Sequence, residues 1–293
     1  MPDWSSLIEA LGQSGITVSG RPGPTAVAGG DISAAWRLEA DQGPLFLKTG
    51  PASSGDMFSA EAEGLAALAT PGVVRVPEVI GCGVADDTAF LALEWLAFER
   101  PTRDAEYRLG KQLAMLHETV SDRFGWHRDN TIGLTPQRNE WTDDWIDFFR
   151  DRRLGYQLRL AAERGFTGDL QEQGARLMKR LPIYFEDYDP VPSLLHGDLW
   201  GGNWACCDGK PVIFDPAVYY GDRESDLAMT RLFGGFGAGF YAAYEKHSPL
   251  AAGHRDRNDL YQLYHVLNHV NLFGSAYLGR AQELLRRLLR ERK

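Results

Sequence analysis

Asp198, Asn203 and Asp215 are the residues whose types and spacing point most directly to shared chemistry. They lie in LLHGDLWGGN, residues 194–203, and in VIFDP, residues 212–216. An apolar pair leads into His196-Gly197-Asp198, Asn203 follows that aspartate by five residues, and Asp215 ends a second apolar, strand-like run. Phosphoryl transfer uses one acid to orient the attacking hydroxyl, and an Asn with a second Asp to hold Mg²⁺. The order and spacing match a kinase catalytic loop followed by its metal-binding aspartate. Asp198 then reads as the catalytic base, with Asn203 and Asp215 as hard oxygen ligands for the metal. A loop-capping Asp198 is the structural alternative. His196 reads as a brace for the loop. Asp226, which precedes an apolar helix beginning near Leu227, reads as a cap or tether.

A nucleotide clamp is legible upstream. Lys48 lies in Leu45-Phe46-Leu47-Lys48, where strand alternation alone would put it on the solvent face. Glu61, thirteen residues on, starts an Ala-rich helical run. A strand lysine paired with a helix glutamate is how kinases hold the α- and β-phosphates of ATP. Glu63 competes for that pairing, but the register Phe58-x-x-Glu61-x-x-x-Leu65 favours Glu61. Gly29 and Gly30 form a turn between two strand-like runs, where backbone N–H groups can approach phosphate oxygens. Such a turn also suits any hairpin, and it carries neither GxGxxG nor GxxxxGK[ST]. Glu94, Trp95 and Leu96 follow an apolar strand. Their backbone either meets an adenine edge or simply links two parts of the chain.

The elements that must position these residues fall into two groups. Trp4, Leu7, Ile8 and Leu11 predict an opening amphipathic helix. Runs at 25–28, 33–40 and 45–49 predict an antiparallel three-stranded meander. A flexible loop at Ser53-Ser54-Gly55, a helix over 58–69 and strands near 76–82 and 89–94 follow. From Arg100 onward the pattern is helical, with candidates at 107–118, 141–164, 259–278 and 282–290, and Pro182 limits any helix across 170–187. The expected fold is α+β and bilobal: a β-rich nucleotide-binding lobe over 1–96, an α-rich catalytic and substrate lobe over 97–293, and a hinge near 94–100.

Composition sets the bounds. With 293 residues, 44% apolar and 24% charged, the chain can bury a sizeable core. Its net charge of −9 argues against broad contact with nucleic acid or an anionic membrane, without excluding ATP. The three cysteines form neither a disulfide framework nor a CxxC metal pair, and read as small buried hydrophobes. No basic start followed by an apolar run is present, and no stretch approaches the ~20 apolar residues that span a bilayer. A cytoplasmic location is expected.

LLHGDLWGGN and PVIFDPAVYYGDRESDLAMTRLFGGF resemble the fructosamine-3-kinase (ketosamine 3-kinase) family. GGDISAAWRLE with FLKT, DNTIGLTPQRNEWTDDW and LYHVLNHVNLFGSAYL look like further segments of it, so the resemblance covers nearly the whole chain. It implies a protein-kinase-like fold and transfer of the ATP γ-phosphoryl group to the 3-hydroxyl of a sugar-derived ketoamine, free or on a glycated protein. Phosphorylation destabilises the adduct, which links the family to deglycation. By motif, Lys48 and Glu61 hold phosphates, Asp198 is the base, Asn203 and Asp215 bind Mg²⁺, and the backbone over 94–96 contacts adenine. The resemblance also implies that Trp200 walls the substrate pocket, although packing in the core is its ordinary alternative. It places His269 at the same pocket and leaves Asn130 and Trp141 without a role. Residues 25–36 lack the cysteine that some members carry there, so redox control is not implied. Which ketosamine is used, and in what oligomeric state, stays open. The rival readings are an aminoglycoside- or choline-type kinase and a catalytically silent nucleotide-binding protein.

Overall fold

The computed structural model describes residues 2–13, 15–18, 23–27 and 33–290. Gly29 and Gly30 therefore lie outside the described residues. Helix α1 (Trp4–Gln13) buries Leu7 and Leu11. Strands β1 (Thr25–Ala26), β2 (Ala34–Ala40) and β3 (Gly43–Pro51) form the expected antiparallel meander. A 3₁₀ turn over Ala52–Ser54 runs straight into α2 (Gly55–Ala69), so the segment read as a flexible loop is instead the helix entry. Strands β4 (Val79–Ala85) and β5 (Thr88–Glu94) complete, among the described residues, a five-stranded antiparallel sheet of order β1-β2-β3-β5-β4. β4 starts later than expected; Pro77 cannot donate to a ladder.

Alternation along β3 gives the sheet two covered faces. Leu45 and Leu47 pack with Leu7 and Leu11 of α1, while Phe46 packs toward α2. Lys48 shares the Phe46 face, so strand period sends it under α2 rather than into solvent.

The remainder is mainly helical. Thr102 caps α3 (Arg103–Leu116) by accepting from the Ala105 amide at 3.1 Å. A small hairpin, β6 (Asn130–Ile132) and β7 (Thr135–Gln137), precedes α4 (Trp145–Phe148). The helix expected from residue 141 begins only at Trp145, because Asp144 caps it and Thr142 bridges to Phe124. A π-turn (Phe149–Leu154) then joins α4 to α5 (Gly155–Glu163). Next come α6 (Asp169–Arg180) and a 3₁₀ turn at Pro182. Four short strands carry the loops of interest: β8 (Ser193–Leu195), β9 (Trp204–Cys207), β10 (Lys210–Ile213) and β11 (Tyr219–Gly221). β9 pairs with β10, and β8 with β11.

Helices α7 (Glu224–Thr230), α8 (Ala238–His247), α9 (His254–Phe273) and α10 (Leu278–Leu288) close the described chain. α9 ends five residues before the expected boundary because Gly274 turns the backbone to φ 80°. One apolar cluster runs from Phe58, Leu65 and Leu68 of α2 through Leu109 and Leu113 of α3 to Phe240 of α8. A second, larger one surrounds α9. Among the described residues no helix is long and apolar enough to cross a membrane.

Candidate active site

The β8-to-β11 unit is built so that two acids meet. β8 delivers His196-Gly197-Asp198 and β10 delivers Phe214-Asp215, and the chain between them folds back as the β9–β10 hairpin. Asn203 closes the gap. Its Nδ2 donates to the Asp198 carbonyl at 2.8 Å, and to Asp198 Oδ2 and the Asp215 carbonyl at 3.4 Å each. With the nitrogen so committed, Oδ1 is the atom of the carboxamide suited to a cation.

Lys48 reaches this unit from the sheet. Its Nζ donates to Glu61 Oε1 at 2.7 Å and to Asp215 Oδ1 at 2.6 Å. Burial alone would lower the ammonium pKa, but Glu61 and Asp215 hold it above its ordinary value, so the cation is secure. Glu63 points elsewhere, to His127 Nε2 at 2.8 Å and Arg128 Nη1 at 2.5 Å. The helix register thus separates the two candidate glutamates as the sequence suggested. α2 also lies close on the 216–218 segment. A Cβ added at Gly64 would stand 3.1 Å from Val218, so the small residues of this helix permit the approach.

The catalytic loop is tethered from below. Asp226 accepts from the His196 and Gly197 amides, each at 2.8 Å, and contacts His117 Nε2 at 3.2 Å. Burial would raise the Asp226 carboxyl, but the contacts from His117, His196 and Gly197 hold it below the usual range, so it stays an acceptor. Burial keeps His196 neutral. Its Nε2 donates to the Phe214 carbonyl at 3.0 Å, and its Nδ1 accepts from the Asp198 amide at 3.3 Å. His196 therefore ties the loop bearing Asp198 to the strand bearing Asp215. Asp198 itself is pushed well above the usual carboxylate range, chiefly by burial, then by repulsion from Asp215 and Asp226. An acid so shifted is a stronger base once ionised. Asp215 adopts φ 56°, the left-handed region that Asp and Asn tolerate best.

Trp200 lies over Gly202, where a Cβ would strike its ring, and remains 39% exposed. It meets Phe233 edge-on at 6.4 Å, and Phe233 packs on His269 at 4.6 Å. Tyr277 adds a further ring 4.9 Å from His269. Trp200 and His269 are thus two members of one aromatic wall, joined by Phe233, which the sequence reading did not single out. Burial holds the His269 imidazole neutral. Glu94, Trp95 and Leu96 leave the end of β5. The Glu94 amide donates to the Glu78 carbonyl at 3.0 Å, Trp95 stacks under Arg37, and Leu96 packs on Cys207 and Val212.

The donor set suits Mg²⁺: a carboxylate and a carboxamide oxygen, both hard. Sequence reading named Asn130 without a role and missed Gln137; they hold the carbonyls of Val218 and Ala217. Asn130 lay in a recognisable segment, but its partner is 88 residues away.

A probable ketoamine kinase from Synechocystis is 45% identical over 293 residues, covering 98% of this chain and 97% of that protein. The chloroplastic protein-ribulosamine 3-kinase of Arabidopsis thaliana is 41% identical, covering 90% and 82% respectively. A crystal structure of a fructosamine-3-kinase candidate from Thermobifida fusca superposes with a TM-score of 0.87 at 34% identity, covering 98% and 99% of the two chains. A thermostable mutant of the aminoglycoside phosphotransferase APH(4)-Ia, 16% identical with a TM-score of 0.65 and covering 98% and 99%, shares the kinase-like fold. The family model described as fructosamine kinase matches residues 4–291, and the chain belongs to that family.

Proposed function

We propose that this protein transfers the γ-phosphoryl group of ATP to the 3-hydroxyl of a ketosamine, with Mg²⁺ as the metal. The observation that supports it most is the convergence of Lys48, Glu61, Asp198, Asn203 and Asp215 at one point, in a chain of this family. The kinase-like relatives described as binding ADP or AMP-PNP support ATP as donor.

Each residue then has a role. Lys48, held by Glu61, takes the α- and β-phosphate oxygens. Asn203 Oδ1 and the Asp215 carboxylate would hold Mg²⁺, whose chemistry is to neutralise charge on the transferring phosphate. Asp198 accepts the proton of the attacking hydroxyl as the new O–P bond forms; the bond from the γ-phosphorus to its bridging oxygen breaks, and ADP leaves with that electron pair. The raised affinity of Asp198 for a proton suits this step. The Glu94 carbonyl and the backbone of Trp95 and Leu96 meet the purine edge, while Gly29 and Gly30 are assigned to the phosphates from the sequence alone. Trp200 and His269 wall the sugar-amine. Residues 1–96 and 97–293 act as two lobes hinged near 94–100. Glycated protein side chains are substrates alongside free ketosamines, in the cytoplasm.

A coupled ATPase screen over ribulosamines, erythrulosamines, fructosamines and aminoglycosides tests the reading, with product NMR to place the phosphate. ADP release with ketosamines and phosphate on O3 is the expected result. Phosphate on another hydroxyl, or turnover with aminoglycosides alone, would overturn it.

A further inference from the structure

We infer that Gln137, on the β6–β7 hairpin, is a positioning residue that sets the catalytic loop and the Asp215 strand against each other. The route is short. Gln137 Nε2 donates to the Ala217 carbonyl at 3.0 Å and to Asn130 Oδ1 at 2.8 Å, while its Oε1 accepts from Tyr264 Oη at 2.8 Å. Gln137 is 2% exposed, so these bonds have no competition from bulk water. Asn130 Nδ2 donates to the next carbonyl, Val218, at 2.8 Å. Consecutive carbonyls two and three residues beyond Asp215 are thereby fixed from one side.

The same Ala217 peptide abuts the catalytic loop on its other side. The Ala217 amide donates to the His196 carbonyl at 2.8 Å. Gly197 packs so tightly there that an added Cβ would lie 2.0 Å from the Ala217 oxygen. Gly197 immediately precedes Asp198. A shift of Ala217 must therefore move the base, the metal-binding strand, or both.

The hairpin is itself anchored. Asn139 Nδ2 donates to Asn130 Oδ1 at 2.8 Å, and Arg153 Nη2 donates to Asn139 Oδ1 at 2.8 Å. Arg153 is fully buried between Tyr219, Phe148 and Tyr264, with its guanidinium 4.0 Å from the Tyr219 ring centre. So Gln137 is the last link of a rigid arm, and its carboxamide is the part that touches the site's backbone. Catalysis is sensitive to such placement: an error of about 1 Å can cost ~10²-fold in rate.

The inference rests on the reading of Asp198 and Asp215 given above, so turnover is measured on a ribulosamine and, separately, as basal ATP hydrolysis. A wild type inactive on ketosamines would count against the acceptor, while the variants would still report on the loop through hydrolysis. Gln137→Leu keeps the size of the side chain and removes both donors. Its kcat is expected to fall ~10–100-fold, with ATP KM within about threefold of wild type. Tyr184→Phe, which removes a buried hydrogen bond to the Leu288 carbonyl far from the loop, serves as the stability control and should leave kcat unchanged.

Gln137→Glu supplies a readout that simple destabilisation would not move. Its ionised carboxyl repels the Ala217 oxygen; its protonated form can donate to it again. Tyr264 donates to this position and favours the ionised form, whereas burial and the Ala217 and Asn130 oxygens favour the protonated one. The ratio of variant to wild-type kcat should therefore rise as pH falls. A wild-type kcat in Gln137→Leu, or a pH-independent ratio in Gln137→Glu, would overturn the inference. If Gln137→Leu does not fold, Gln137→Glu and Asn130→Asp decide it, the latter expected to lose kcat while retaining nucleotide affinity by calorimetry.

Discussion

Asp198, the carboxylate proposed as the base, is uncomfortable where it sits. Asp198 is raised by burial and by two neighbouring acids. Replacing it with Asn should lower kcat by ~10²–10⁴ without weakening ATP binding. The fold should not suffer. A group whose folded pKa lies above its unfolded value adds stability that is present at low pH and lost as pH rises through the folded value. Asp198→Asn should therefore gain thermal stability relative to wild type from pH 5 to pH 8, and a scanning-calorimetry series that shows no such trend would contradict the assigned strain. At this scale much was legible. Residue type and a spacing of five separate Asp198 from Asn203, and helix register alone separates Glu61 from Glu63. What could not be read were partners far off in sequence, such as Gln137 with Ala217 or Lys48 with Asp215, 167 residues apart.

Helix α2 shows how elements, rather than residues, hold the clamp. Arg128 spans Glu63, Ser59 and Asp56 along one face of α2, and His127 meets Glu63 as well. These contacts come from the loop before β6, so that loop braces α2 while the β6–β7 hairpin it enters braces residues 217–218 after Asp215. Arg128→Ala should raise ATP KM several-fold and speed hydrogen exchange in α2, while exchange in α9 stays unchanged. Slow exchange throughout α2 in that variant would show that the ion pairs are ornamental, as many exposed ones are. Element boundaries were legible where a chemical stop existed, as at Pro182. They were not where a cap or a three-residue strand decided them: Asp144 delays α4, and the pairs β6–β7 and β8–β11 are too short to show a period.

Across the whole molecule, the two-lobed pattern read from the sequence corresponds to a sheet region and a helical region, but their apolar interiors are not separate. The cluster from Phe58 to Phe240 joins α2 to α3 and α8, and composition alone gave no hint of it. Stability should accordingly report on the molecule as one unit. Asp222, buried beneath α9, accepts from Tyr188 Oη at 2.8 Å and Tyr261 Oη at 2.5 Å, yet burial and Glu224 push its carboxyl up to about 6. Its contribution is full below its unfolded value and lost as pH rises through about 6. His196, His265 and His269, all lowered by burial, act in the opposite sense over the same interval. The difference between Asp222→Asn and wild type isolates the carboxyl: the variant's relative melting temperature should climb between pH 5 and 7.5, in a single cooperative transition.

Three non-glycine residues among those described hold left-handed backbone: Asp86 and Asp208 in hairpin turns, and Asp215. Glycine would relieve each by roughly 1 kcal/mol. In a saturation library sorted only for soluble expression, glycine should be enriched at all three positions. Sorted again for turnover, it should survive at 86 and 208 and vanish at 215. The gap between the two enrichment profiles would mark, with no structure in hand, the one place where the chain tolerates a backbone it disfavours for the sake of a reaction.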